Sequence, residues 1–151
     1  MFNGSINAKL LFVFTITKKF SFEAAHRLAK GYPDKCKNIH GHSFNGELTV
    51  SCEKLDFYDM GVDFSVLKTF LKKIERYFDH SLILYEKDDA LIKLCREQDW
   101  YIVTMKQNPT SEVIAAYIFD QAQKELESLY PCKVISVVIA ETCQSRCEYK
   151  V

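Results

Sequence analysis

Four histidines occur in the chain, and three of them, His26, His40 and His42, fall in one short stretch. His40 and His42 flank a glycine in the string Cys36-Lys-Asn-Ile-His40-Gly-His42. On a β-strand, residues two apart point the same way, so both imidazoles would share a face. His26 would end the preceding strand and could sit opposite them. Three converging imidazoles with no fourth protein ligand form the pattern of a catalytic zinc, whose open position takes water or substrate. Copper, iron and nickel suit imidazole as well. The same residues also fit polar loop ends, since His-Gly-His is a short and common string. Cys36 admits three readings: a fourth ligand closing a structural site, a reactive thiolate, or a buried inert thiol. His80 directly follows Asp79, and a neighbouring carboxylate can orient an imidazole and raise its basicity; a surface pair at a helix end is the alternative. Glu141 follows a β-branched run, where a carboxylate is costly unless paired or at the surface.

The elements that must carry these groups are readable from periodicity. Leu10 to His26 is rich in Phe, Ile, Thr and Val, with Phe20, Phe22, Ala24 and His26 on one face of a strand. Gly31-Tyr-Pro33-Asp34 marks a loop. His40 to Cys52 returns as a second strand, with Phe44, Leu48 and Val50 on the His42 face, giving a long antiparallel hairpin. Asp63 to Phe78 reads as a helix capped by Asp63, with Phe64, Leu67, Phe70, Leu71, Ile74 and Phe78 at helical spacing. Asp88 to Gln98 reads as a shorter helix and Trp100 to Met105 as a strand. Asn108-Pro109 is expected to open another helix, with Asn108 as cap and Pro109 at its first position. Val134 to Ala140 and a last segment ending at Val151 complete the pattern as strands. Strands, helices, then strands again imply an α+β fold with helices on one face of an antiparallel sheet.

Bulk properties narrow the function classes. At 151 residues, with no linker or repeat, one domain over 1–151 is expected. Twenty basic and 20 acidic residues cancel, so no general field would attract nucleic acid, and an anionic substrate needs a local cluster of Lys and Arg. Leu10-Leu-Phe-Val-Phe-Thr-Ile16 is short, lacks a basic n-region, and runs into Lys18-Lys19 with no small-residue cleavage site. It is therefore expected to be a core strand and not a signal peptide, and no stretch reaches membrane-spanning length. The six cysteines are expected to be reduced, in a cytoplasmic protein, with the Cys143-x3-Cys147 spacing a weak metal signal.

An ordered set of strings resembles the 6-pyruvoyltetrahydropterin synthase superfamily, and within it the bacterial 6-carboxytetrahydropterin synthases. These are Phe22-Glu-Ala-Ala-His26-Arg-Leu28, Cys36-Lys-Asn-Ile-His40-Gly-His42, Asp79-His80, Asn108-Pro-Thr-Ser-Glu112, and Glu141-Thr-Cys143 with Cys147-Glu-Tyr149. The Lys37-Asn38-Ile39 spacer matches the 6-carboxy enzymes, the pyruvoyl enzymes typically having a longer one. Asp59-Met-Gly-Val-Asp63-Phe64 departs from the usual pattern before the first helix. Ser81 to Gln107 reads as an insertion of helix plus strand, and the first dozen residues extend the usual start.

The resemblance implies a tunnelling fold: an antiparallel four-stranded sheet with two main helices on one face, its subunits forming a barrel, commonly a homohexamer. It implies conversion of 7,8-dihydroneopterin triphosphate to 6-carboxy-5,6,7,8-tetrahydropterin, acetaldehyde and triphosphate, on the route to 7-deazapurines such as queuosine. Triphosphate elimination by a pyruvoyl synthase is the alternative. Zinc on His26, His40 and His42 would bind the substrate side-chain hydroxyls and stabilise an oxyanion as a neighbouring C–H proton leaves. Cys36 is implied as the base, with Asp79 and His80 polarising it from an adjacent subunit. Glu141 would accept two adjacent N–H groups of the pterin ring. Thr110 and Arg27 are expected in substrate binding, with Arg27, Lys35 and Lys37 as candidates for holding the triphosphate. A zinc hydrolase and a zinc-stabilised interaction module are the readings from other classes.

Overall fold

Two strands of 13 residues each, β1 (Phe14–His26) and β2 (His40–Cys52), form the hairpin on which the rest is built. A computed structural model describes residues 13–151, so the expected start of β1 at Leu10 lies outside the described residues. The register runs without interruption from Phe14↔Cys52 to His26↔His40. Period-two alternation places Phe20, Phe22, Ala24, Phe44, Leu48 and Val50 on one buried face. The Phe20 ring lies over Gly46, where an added Cβ would come within 2.2 Å of the ring, so only glycine fits beneath it.

Helices α1 (Phe64–Phe78) and α3 (Ser111–Leu129) cover that face. Leu67, Phe70, Leu71, Ile74 and Phe78 of α1 join Ile114, Ile118, Phe119 and Leu126 of α3 in one core with the hairpin. Asp63 caps α1 as expected, its Oδ1 accepting from the Ser65 N–H at 2.7 Å. The start of α3 differs from expectation. Thr110, and not Asn108, is the cap, and Pro109 lies outside the helix. Asn108 Oδ1 instead accepts from the Lys30 N–H, which holds the β1–β2 loop. Leaving Pro109 outside frees its carbonyl for another partner.

The sheet has six strands and not four, in the order β4-β3-β1-β2-β5-β6. Strands β5 (Lys133–Ala140) and β6 (Arg146–Lys150) extend it antiparallel on the β2 side. On the other side, β3 (Ser81–Tyr85) runs parallel to β1, and β4 (Ile102–Met105) parallel to β3. The 81–107 insertion is thus two strands joined by helix α2 (Asp89–Glu97), a crossover unit and not helix plus strand. Nor do all helices share one face. Ile83 joins the main core, whereas Leu82 and Leu84 pack with Leu91, Ile92 and Cys95 of α2 in a second cluster. That places α2 on the opposite face of the sheet from α1 and α3. A strand buried on both faces reads as a continuous apolar run, which is what Leu82-Ile83-Leu84 is. No described helix is long and apolar enough to cross a membrane.

Candidate metal centre and the clefts beside it

The hairpin register brings the three histidines together. His26 pairs with His40 and Ala24 with His42, so all three imidazoles rise from the same face at the loop end of the hairpin. Their ring centroids are 4.5, 5.1 and 5.2 Å apart. One ligand atom from each lies within 4.8 Å of the others. Phe44, fully buried, meets His26 and His42 edge-on from below.

Hydrogen bonds fix which ring nitrogen is free. His26 Nδ1 donates to the Pro109 carbonyl at 2.7 Å, the carbonyl that the displaced helix cap exposes. His40 Nδ1 donates to the Asn38 carbonyl at 2.8 Å. A carbonyl only accepts, so each Nδ1 carries the hydrogen and each Nε2 is left with a lone pair. The two Nε2 atoms face each other at 3.1 Å. Two lone pairs at that distance repel unless a cation lies against both. Metal-binding histidines typically donate their other ring N–H to a carbonyl in this way. His26 is 2% exposed, and burial lowers its pKa against the opposing pull of the Pro109 bond. It is thereby held in the neutral form that a metal requires. The donor set therefore fits a divalent ion bound by three imidazoles.

A cleft of about 280 Å³ opens beside His26 and His40, and Cys36, Thr110, Glu141 and Arg146 border it. Cys36 sits half-buried in a single 3-10 turn, Lys35–Lys37, capped by Asp34. Its carbonyl accepts from the Leu28 N–H at 2.8 Å, which ties the thiol-bearing turn to the end of β1. Thr110 reaches the cleft because it caps α3, its Oγ1 accepting from the Val113 N–H at 3.5 Å. Glu141 is the first residue beyond β5, and its N–H donates to the Ser145 carbonyl across the turn into β6. Thr142 Oγ1 braces the same turn by accepting from the Gln144 and Ser145 N–H groups.

Asp79 and His80 lie elsewhere. His80 Nδ1 meets Asp79 Oδ2 at 2.8 Å, and Asp79 Oδ1 accepts from the Glu23 N–H at 2.9 Å. The Glu23 amide and then His80 hold the Asp79 carboxyl below its ordinary range. His80 adopts φ 57°, the left-handed region, and its own N–H donates to the Glu23 carbonyl at 2.6 Å. The dyad is thus pinned on both sides of one β1 residue, three positions before His26. Its cleft, about 400 Å³, is bordered by Glu23, Ala25, Gly41, Ser43 and His80, and also by Ala24, Ser81 and His42. Glu23, Ala25, Gly41 and Ser43 alternate with the histidines along their strands and so turn their side chains to the other face. Within one chain, the thiol and the dyad lie on opposite faces of the hairpin, and no hydrogen bond links them among the described residues.

Arg27 is committed to Asp88. Its Nε and Nη2 donate to both carboxylate oxygens at 2.6 Å each, and Asp88 is buried. This fork–fork pair bolts the insertion to the end of β1. Asp88 precedes α2 yet makes no side-chain cap bond, because its oxygens serve Arg27. Arg27 does not border the cleft of Cys36 and Glu141. Lys35 and Lys37 flank Cys36 and are exposed. The sequence marks Asp88 only as the start of a helix, because its partner Arg27 lies 61 residues away. Cys143 and Cys147, the C-x3-C pair, are both free thiols.

The chain belongs to the 6-pyruvoyl tetrahydropterin synthase family, whose sequence model matches residues 15–151. Among curated relatives, the 6-carboxy-5,6,7,8-tetrahydropterin synthase of Aquifex aeolicus is 35% identical over 89% of this chain and 96% of its own length. That of Synechocystis is 37% identical over 89% of this chain and 91% of its own. Among solved structures, an uncharacterized protein of Wolinella succinogenes superposes with a TM-score of 0.81 at 22% identity, covering 92% of this chain and 98% of that one. The 6-pyruvoyl tetrahydropterin synthase of Caenorhabditis elegans superposes with a TM-score of 0.66 at 25% identity, covering 93% and 97%.

Proposed function

We propose that the chain is a zinc-dependent 6-carboxy-5,6,7,8-tetrahydropterin synthase. It would convert 7,8-dihydroneopterin triphosphate to the 6-carboxy product, acetaldehyde and triphosphate, supplying 7-deazapurine (queuosine) synthesis in the cytoplasm. The observation that carries this reading is the pair of lone-pair-bearing Nε2 atoms of His26 and His40, 3.1 Å apart, beside a cleft that also holds Cys36 and Glu141. The names of the Aquifex and Synechocystis relatives support the same reaction.

Each side chain has a task of its own. His26, His40 and His42 would hold the zinc, with Pro109 and Asn38 fixing two of the ring orientations. Bound there, the ion supplies Lewis-acid stabilisation of negative charge on the substrate side-chain oxygens. Cys36, tied to β1 through Leu28, takes the proton from the adjacent carbon as a thiolate. Glu141 orients the ring by accepting two neighbouring N–H donors, with Thr110 contributing at the end of α3. Asp79 and His80 accept and return the proton, and the opposite-face placement means that they would serve the thiol of another copy. A barrel of identical single-domain subunits, a homohexamer, meets that need. Without the second copy, the thiol has no proton relay.

The structural likeness to a 6-pyruvoyl tetrahydropterin synthase favours one other reading, elimination of triphosphate without side-chain cleavage. Incubation with dihydroneopterin triphosphate, with and without a chelator, separates the two. Acetaldehyde and a 6-carboxy pterin are expected, and both should vanish on chelation. A pyruvoyl product would select the second reading, and no turnover with metal bound would refute both.

A further inference from the structure

A pterin is a planar ring system, and a cleft that holds one must meet its faces as well as its edge. In the cleft beside the histidines, Glu141 is suited to the edge, and Thr110, Ser111 and Glu112 also border it. These are small or polar groups, and none offers a ring face a broad surface. Apart from His26 and His40, Tyr32 is the only aromatic residue that borders the cleft. It is 40% exposed. Its ring packs on no other aromatic ring among the described residues. A tyrosine left unstacked at the border of a cleft is free to stack on what enters it.

The loop that presents Tyr32 is held at several points. The Leu28 N–H donates to the Cys36 carbonyl at 2.8 Å, closing residues 28–36 into one loop. Gly31 turns the chain directly before Tyr32 at φ 69°, and its N–H donates to the Ala29 carbonyl at 2.9 Å. The Lys30 N–H donates to Asn108 Oδ1 at 3.0 Å, tying the loop to the segment before α3. Pro33, directly after Tyr32, fixes its own φ and biases Tyr32 toward extended backbone. Asp34 then caps the turn that carries Cys36. Tyr32 and the thiol thus lie on one braced loop and border one cleft with His26 and His40.

We infer that the Tyr32 ring is the surface on which the pterin ring of the substrate stacks, so that one loop carries both the proton acceptor and the face that holds the ring. This rests on the pterin reading above. Stacking uses the aromatic face and needs no hydroxyl. Tyr32→Ala should therefore weaken ring binding by about 5- to 100-fold, the range found when an aromatic is removed from beneath a stacked nucleic-acid base. Tyr32→Phe should retain nearly all of it. KM for dihydroneopterin triphosphate should rise by a similar factor in Tyr32→Ala with kcat little changed, because the ring face is held alike in ground and transition states. A substitution that merely loosened the loop would instead lower kcat through Cys36. As an exposed loop residue, Tyr32 should be replaceable without a change in melting temperature.

The direct test is titration of 7,8-dihydroneopterin, which has the ring and no phosphate, into metal-replete wild type, Tyr32→Phe and Tyr32→Ala, read by calorimetry and by the near-ultraviolet absorbance of the ligand. Wild type and Tyr32→Phe should bind alike and shift the absorbance band. Tyr32→Ala should bind at least about fivefold more weakly and lose the shift. Equal binding in Tyr32→Ala overturns the proposal. So does a loss in Tyr32→Phe as large as that in Tyr32→Ala, which would make the hydroxyl the contact. Dihydroneopterin binding needs no turnover. An unchanged KM in Tyr32→Ala with acetaldehyde release intact refutes the ring seat alone, and Tyr32-dependent binding without acetaldehyde release from the triphosphate refutes the reaction alone.

Discussion

The two faces of the β1–β2 hairpin carry two different half-sites. On one, His26 is 2% exposed, its Nδ1 fixed by a carbonyl and its Nε2 bare toward His40. On the other, Asp79 and His80 are joined to each other and pinned to Glu23, with the His80 side chain 81% exposed. One face gathers three imidazoles around a buried His26, and the other carries an exposed carboxylate–imidazole pair. Glu23 and His26 lie three residues apart on one strand, so the half-sites are positioned by the same backbone while facing away from each other. On the proposed reading, thiol and dyad would meet only between copies, and activity would then depend on assembly.

The largest expected effect is on the histidine face. His40→Ala should lose bound metal and activity together, with turnover falling at least about 1,000-fold. Metal analysis beside a turnover assay checks this, and an active, metal-replete variant would refute the ligand set. Cys36→Ala should lose about 100-fold or more in kcat while keeping its metal, since a base and not a ligand has been removed. Full activity in that variant would favour a hydrolase-like site with the thiol as bystander.

Mixing sharpens the comparison further. Cys36→Ala and His80→Ala are each expected to be nearly inactive, but refolded together they should regain a measurable fraction of wild-type turnover. Some interfaces in the mixture would then pair an intact thiol with an intact dyad. Absence of any recovery, with mixed oligomers demonstrated, would mean that thiol and dyad act within one chain or not together.

Smaller effects concern the anchors. Asp88→Asn breaks the pair that ties the insertion to Arg27 beside His26. Loss of a fully buried partner costs more, but Arg27 is partly exposed, so about 2 kcal/mol is expected, or roughly 4–8 °C in melting temperature. An unchanged melting curve would deny the insertion its anchoring role. The smallest effect is at Asp79. Its carboxyl titrates below the ordinary 3.8 in the folded chain, chiefly through the Glu23 amide. The stabilisation is therefore complete above the ordinary value and is lost as pH falls through the folded one. Asp79→Asn should flatten that acid limb of a denaturation profile, and an unaltered limb would count against the Glu23 tie.

The sequence shows the first of these faces much better than the second. Strict alternation through Phe20, Phe22, Ala24 and His26 fixes the hairpin face, and with it the convergence of three histidines. The β3 strand escaped because Leu82-Ile83-Leu84 has no alternation, being buried against α1 and α3 on one side and α2 on the other. The α3 cap lies two residues beyond Asn108 because Asn108 is drawn off by Lys30, a contact 78 residues away in sequence. Arg27 looked like a substrate cation because its partner Asp88 is 61 residues distant. Periodicity reports which face a residue takes, whereas long-range polar pairing decides which charges remain free.

The account stands most directly on the metal's inner sphere. X-ray absorption on the purified, metal-replete protein should show a zinc site with three imidazole nitrogens, oxygen donors completing the shell, and no sulfur. A sulfur scatterer at about 2.3 Å would put Cys36 on the metal, close the open position, and contradict the separation of ligand and base.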